Sequence, residues 1–179
     1  MIILMWLFLQ LTIAGGVDAI IFKKNIARKG TATQIDTYYD PPHDVRASKA
    51  LDGITTGDET DYTHTDTQGS AAWWLLTLPR VYQITEIRTY NRYSTWGDVM
   101  NRIDGVTVWV GTDSTGGNYD GATKVATIRF EEEKRLYIYS DLHVAGSSVA
   151  IRGGSYFNLP YLSLSEVEVY VNSSERPGG

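Results

Sequence analysis

Alternation with a period of two, in short runs broken by Gly, Asn and Asp clusters, restricts this chain more than any other feature. Val106, Val108 and Val110 alternate with Thr107 and Trp109, and Ala126, Ile128 and Phe130 with Thr127 and Arg129. Leu136 and Ile138 alternate with Arg135, Tyr137 and Tyr139, and Val167, Val169 and Val171 with Glu166, Glu168 and Tyr170. Successive side chains of a strand point to opposite faces, so each run specifies a strand with one buried face. Breakers such as GTDSTGGNYDGATK separate the runs. Only PPHDVRASKALDG has helical character, and it is short. The expected fold is all-β, an antiparallel sandwich. The Glu131-Glu132-Glu133 run is expected at the solvated tip of a hairpin.

The chain begins MIILMWLFLQLTIAGGVDA. Ile2 to Ile13 is too short a run to span a membrane, and Val17 and Ala19 stand at the minus-three and minus-one positions of a signal-peptidase site. Residues 1–19 therefore read as a signal peptide, 20–171 as one domain and 172–179 as a C-terminal tail, with a sequon at Asn172-Ser173-Ser174. No later run is apolar enough for a transmembrane segment, and the expected location is extracellular. The chain has no cysteine, although small secreted domains normally use disulfides as staples. A metal ion is the obvious alternative staple. The formal net charge of −5 and the scattered basic residues exclude a nucleic-acid groove.

One connection stands out. NRYSTWGDVMNRIDG carries Arg92 and Arg102 at its two ends with Trp96 between them, where a plain turn would close a hairpin. Arginine offers several N–H donors in a planar fork, suited to the hydroxyl and ring oxygens of a sugar. A tryptophan in so polar a stretch points to an interaction surface, whereas Trp73 and Trp74 read as core and support. The sequence carries no facing carboxylate pair, no GxSxG elbow and no His-rich metal motif, so catalysis is not expected.

The elements NIARKGTATQ, ASKALDG, THT, AAWWLLTL, ITEIRTYNR, RIDGVTVWVG and LSEVEVY occur in this order and resemble the F-type lectins, or fucolectins, of the discoidin-like (coagulation factor 5/8 C-domain-like) group. The resemblance runs from Asn25 to about Val171. It implies a jelly-roll sandwich with a sugar site on loops at one end. It also implies L-fucose or fucosylated glycans and glycoproteins as partners, with a role in immune or in cell or gamete recognition. By this resemblance His64, Arg92 and Arg102 hold the sugar, and His43 lies on a loop that reaches toward it. The family's loop carries paired cysteines as an apolar plate; here Trp96 is the residue expected to replace them.

The resemblance further implies a structural Ca2+ held by Lys49, Asp52, Ile54, Asp61, Ser165 and Glu166, with Lys49, Ile54 and Ser165 acting through main-chain oxygens. Carboxylates and carbonyls suit such a hard cation. The alternative reading is a discoidin-like adhesion module binding protein or membrane surfaces through apolar loop tips. Homo-oligomerisation stays open.

Overall fold

Nine strands form among the described residues: β1 (Ile20–Asn25), β2 (Thr31–Gln34), β3 (Trp73–Ile84), β4 (Glu86–Asn91), β5 (Thr107–Gly111), β6 (Thr123–Thr127), β7 (Leu136–Tyr139), β8 (Val144–Arg152) and β9 (Leu164–Glu175). The structure is a computed structural model that describes residues 20–58, 60–95, 99–112, 119–154 and 161–175. Residues 1–19, expected to be a signal peptide, lie outside the described residues. Two antiparallel sheets result, ordered β1-β9-β4-β7 and β2-β3-β8-β5-β6. The expected all-β sandwich is the observed one. Where helical character was expected, a 3-10 turn covers Ala47–Leu51.

Except in β7, the period-two runs turn their apolar sets toward the space between the sheets. Val106, Val108, Val110, Val149, Ile151, Ile87, Val167 and Val169 are all buried there, together with Trp74 and Leu76. Trp74 is fully buried, and its indole N–H donates to the Ala47 carbonyl at 2.9 Å, so even its polar atom is satisfied. Trp73, its neighbour on the opposite face of β3, is only partly buried. Pro79 interrupts β3 where its register against β8 shifts, between Thr77 and Tyr82. A proline cannot donate to a ladder, and an irregular stretch is where a long strand tolerates one.

Three sequence expectations are corrected. The Arg92–Arg102 connection is no hairpin loop: β4 lies in one sheet and β5 in the other, so the chain must cross the sandwich there. The acidic run 131–133 is exposed as expected, but it too joins different sheets, β6 to β7, and is not a hairpin tip. Alternation reports that one face is buried and says nothing about which sheet a strand joins. Third, β9 continues to Glu175, four residues past the expected domain boundary at 171. Asn172 of the sequon pairs with Lys23 of β1, inside a ladder and not in a free tail.

The faces of β7 follow from its pairing. Thr89 of β4 is buried and opposes Tyr137, so Tyr137 turns inward while Ile138 is left 50% exposed. Tyrosine tolerates this because its hydroxyl reaches the sheet edge, donating to the Lys134 carbonyl and accepting from the Glu131 amide, both at 3.4 Å. Tyr137→Ala should therefore cost ~3–5 kcal/mol in urea unfolding, and Ile138→Ala under about 1 kcal/mol. Equal costs would overturn this register.

Candidate functional site

Four segments meet at one end of the sandwich. Tyr38, Asp40 and His43 come from the stretch after β2, and Tyr62 and His64 from the irregular run before β3. Arg92, Ser94, Val99 and Arg102 come from the β4–β5 crossing, and Tyr161 stands shortly before β9. Together they line a cavity of about 400 Å³.

The Thr63-His64-Thr65 run is held on both flanks. Thr63 N–H donates to the Leu164 carbonyl (2.7 Å) and Thr65 N–H to the Leu162 carbonyl (3.1 Å). The two threonine hydroxyls accept in return from the Leu164 and Leu162 amides, each at 3.1 Å. His64 N–H donates to the Val45 carbonyl (2.9 Å), and the His64 carbonyl accepts from Tyr38 N–H (3.0 Å). A segment in no sheet thus satisfies its backbone as a strand would.

The arginines are positioned by a clasp. Asn91, the last residue of β4, is buried and donates its side-chain amide to the Met100 carbonyl at 2.8 Å, drawing the ends of the crossing together. Met100 opens the 3-10 turn Met100–Ile103 that carries Arg102, and the buried Ile103 pins this turn to the core. Each guanidinium then lies against a tyrosine ring, Arg92 at 3.6 Å from Tyr62 and Arg102 at 5.5 Å from Tyr161. Tyr62 is itself fixed, with 2% of its surface exposed and its hydroxyl donating to Asp40 Oδ2 at 3.0 Å. His43 Nδ1 lies 3.3 Å from the same carboxylate oxygen.

His64 is buried beneath aromatic rings, with Tyr38 at 4.7 Å and Tyr161 at 4.8 Å between centroids. Its Nδ1 lies 2.7 Å from the Thr65 carbonyl, which can only accept, so Nδ1 carries the proton. Burial, helped by the two arginine charges, pulls its pKa down to about 4 against the opposing Thr65 bond. The neutral ring therefore presents Nε2 as an acceptor. The cavity holds fixed donors in Arg92 and Arg102 beside acceptors in His64 and Asp40, the only carboxylate among the described lining residues.

Of the residues expected to hold a sugar, His43, His64, Arg92 and Arg102 are brought together here. Trp96 lies outside the described residues. The sequence reading missed Tyr38, Asp40, Tyr62, Ser94, Val99 and Tyr161. Proximity to THT and to the first arginine was the available signal for Tyr62 and Ser94; nothing local marks Tyr161.

The six residues expected around a cation also form one network. The Ile54 and Asp61 carbonyls both face Ser165 Oγ, at 3.4 and 3.3 Å. Glu166, 1% exposed, accepts the Gly53 amide at 3.1 Å, and burial raises its carboxyl to about 7. Asp52 Oδ1 accepts Ile54 N–H at 2.9 Å. Lys49, expected to contribute only its main-chain oxygen, places its ammonium 2.8 Å from Asp52 and 3.0 Å from Asp61. Among the described residues the acidic side chains form no group of three that could ligate a metal. The oxygens placed around Ser165 are the Ile54 and Asp61 carbonyls, with the buried Glu166 carboxylate as the neighbouring residue.

A sequence model of the NedA-like, galactose-binding domain family matches residues 49–149. The chain belongs to that family. Solved structures of sugar-binding proteins share its fold. A fucolectin from striped bass (Morone saxatilis) serum superposes with a TM-score of 0.70 at 25% identity, over 85% of this chain and 48% of the other, so the chain spans about half its length. The lectin domain of lectinolysin, solved with Lewis B antigen, gives a TM-score of 0.64 at 27% identity over 82% and 95% of the two chains. A fucose-binding module of Streptococcus pneumoniae, SpX-3, gives 0.63 at 24% identity over 83% and 98%, a likeness of fold. The discoidin-like fold and the resemblance to fucolectins are thus both met. No curated protein matches the sequence.

The depressed pKa of His64 sets the sign of a pH effect. The unfolded chain takes up a proton near pH 6.5 and the folded site only near 4, so this stability is complete above 6.5 and is lost as pH falls toward 4. The loss should be on the order of 3 kcal/mol by pH 4. His64→Gln should lack that part of the decline in denaturant titrations between pH 7 and 4. An unchanged profile would mean His64 titrates as an ordinary surface histidine.

Proposed function

We propose that this chain is a secreted, non-catalytic lectin that binds L-fucose or fucosylated glycans in the cavity between Arg92, Arg102 and His64. The observation that carries the reading is the meeting of two arginine forks and a neutral imidazole acceptor in one aromatic-lined pocket. A sugar hydroxyl both donates and accepts, so such a set can engage each hydroxyl in both senses. Each arginine fork is stacked on a ring, so little freedom is lost when a ligand arrives. The family and the lectin neighbours support carbohydrate as the ligand class. Among the described lining residues Asp40 is the one carboxylate, whereas glycoside hydrolysis takes two across the bond. The serum origin of the striped bass protein and the apolar run Ile2 to Ile13 support secretion, and the lectin neighbours support a role in immune or cell recognition.

Either Arg92→Ala or Arg102→Ala should abolish measurable fucose binding in calorimetry while leaving the melting temperature within a few degrees of wild type. Each removes charged donors worth ~1.5–3 kcal/mol, a large share of a weak single-sugar affinity. A glycan array should show fucosylated structures retained and sialylated ones not. Wild-type binding in either variant, or a sialylated preference, overturns this reading.

Calcium belongs to the same proposal as a structural ion. Carbonyl oxygens of Lys49, Ile54, Asp61 and Ser165, with the carboxylates of Asp52 and Glu166, would hold it. Asp61 would act through its carbonyl while its carboxylate stays with Lys49. The ion would neutralise a buried carboxylate in a chain without disulfides. The effect reaches the pocket through Gly57, whose carbonyl accepts Tyr93 N–H at 2.7 Å beside Arg92. A chelator should lower the melting temperature by several degrees, as ~1–3 kcal/mol does in a domain of this size, and Glu166→Gln should do much the same. Identical melting with calcium and with EDTA removes calcium from the proposal.

A further inference from the structure

The crossing that carries the two arginines lines two cavities. Ser94, Val99 and Arg102 face the one described above, whereas Tyr93, Met100 and Asn101 face another of about 490 Å³, completed by Phe130, Glu132 and Glu133. The apolar lining of this second cavity is Tyr93, 39% exposed, with Met100 and Phe130, both partly buried. Phe130 is fixed there by its N–H, which donates to Asp104 Oδ1 at 2.9 Å. The chain then turns, Lys134 N–H donating to the Glu131 carbonyl at 3.1 Å with Glu133 at φ +63°. Glycine would form such a turn more readily, yet here it keeps two carboxylates at the cavity.

The neighbouring charges are already engaged. Glu131 pairs with Lys134, and Arg135 donates to the Thr55 and Thr56 carbonyls while lying over the Tyr93 ring. Glu132 and Glu133 enter no ion pair among the described residues. The polar groups offered to a ligand are thus two carboxylates, which only accept, and the Asn101 carboxamide. Rings and anionic acceptors together suit a cation with a flat body. Guanidinium meets each condition, since it is planar, bonds a carboxylate through two N–H groups and stacks on aromatic faces. Arg135, with its guanidinium 4.9 Å from the Tyr93 ring, shows the same pairing within this chain.

We propose that the second cavity is a binding site for an arginine side chain presented by a partner polypeptide. The site is independent of which sugar the first cavity takes. Because one crossing lines both, a partner bearing a glycan and a nearby arginine would fill the two together.

Met100 reports on the site directly. The chain has three methionines, Met1, Met5 and Met100, and the methyl resonance lost in Met100→Leu assigns the one in the cavity. With isotope-labelled methionine methyl groups, the peptide acetyl-glycyl-arginyl-glycinamide should shift that resonance saturably. Its citrulline counterpart, flat but uncharged, should bind about ten-fold more weakly. The double variant Glu132→Gln/Glu133→Gln should lose affinity for the arginine peptide by about the same factor, while its melting temperature and sugar binding stay those of wild type. An unmoved Met100 resonance, equal titration by the citrulline peptide, or an unchanged affinity in the double variant would each overturn the proposal. A shift produced by a fucosylated oligosaccharide and not by the peptide would assign the cavity to the glycan, and would overturn it as well.

Discussion

The pocket depends on a stitch of buried hydrogen bonds in which Thr63 and Thr65 exchange amides and hydroxyls with Leu164 and Leu162. Each buried bond contributes only about 1 kcal/mol net, but a buried amide left without a partner costs more than that. The arrangement is therefore close to all-or-none. It holds Tyr62 and His64 on one side and Tyr161 on the other, and it draws Tyr38 in through the His64 carbonyl. Removing either threonine would loosen both walls of the cavity together.

Charge and burial pull the imidazole one way. Beside two guanidinium groups a protonated His64 would be a third cation in a dry setting, so the ring stays neutral and its tautomer is dictated by the Thr65 carbonyl. The arginines keep their charge and give up mobility instead, each lying against a tyrosine ring. Asp40 supplies the local counter-charge while anchoring the Tyr62 hydroxyl. The result is a rigid set of donors and acceptors on loops, borne by two sheets that need not move.

Beneath the pocket, the segment from Gly53 to Asp61 links it to the buried Glu166. Gly57 adopts φ +62°, and a Cβ there would come within 2.8 Å of Ser165 Oγ and 3.0 Å of the Asn91 carbonyl. The close approach lets its own carbonyl reach Tyr93, next to Arg92. Lys49 already balances Asp52 and Asp61, which leaves Glu166 as the carboxylate whose burial is least compensated.

What the sequence determined alone was what strand periodicity and motif order carry: an all-β chain, the faces of most strands, and His64, Arg92 and Arg102 as members of one site. These follow from local rules, because alternation is a property of a strand's own residues. Strand partners are not local. Whether residues 92–106 turn back on β4 or cross to the other sheet depends on pairings made far along the chain, and so did the inward turn of Tyr137 opposite Thr89. Tyr161 was invisible for the same reason, since long-range bonds such as that of Leu162 to Thr65, across 97 residues, bring its ring over His64. The tautomer and depressed pKa of His64, and the diversion of Lys49 to two carboxylates, needed the burial and distances of the folded chain, because desolvation has no counterpart in a list of residues.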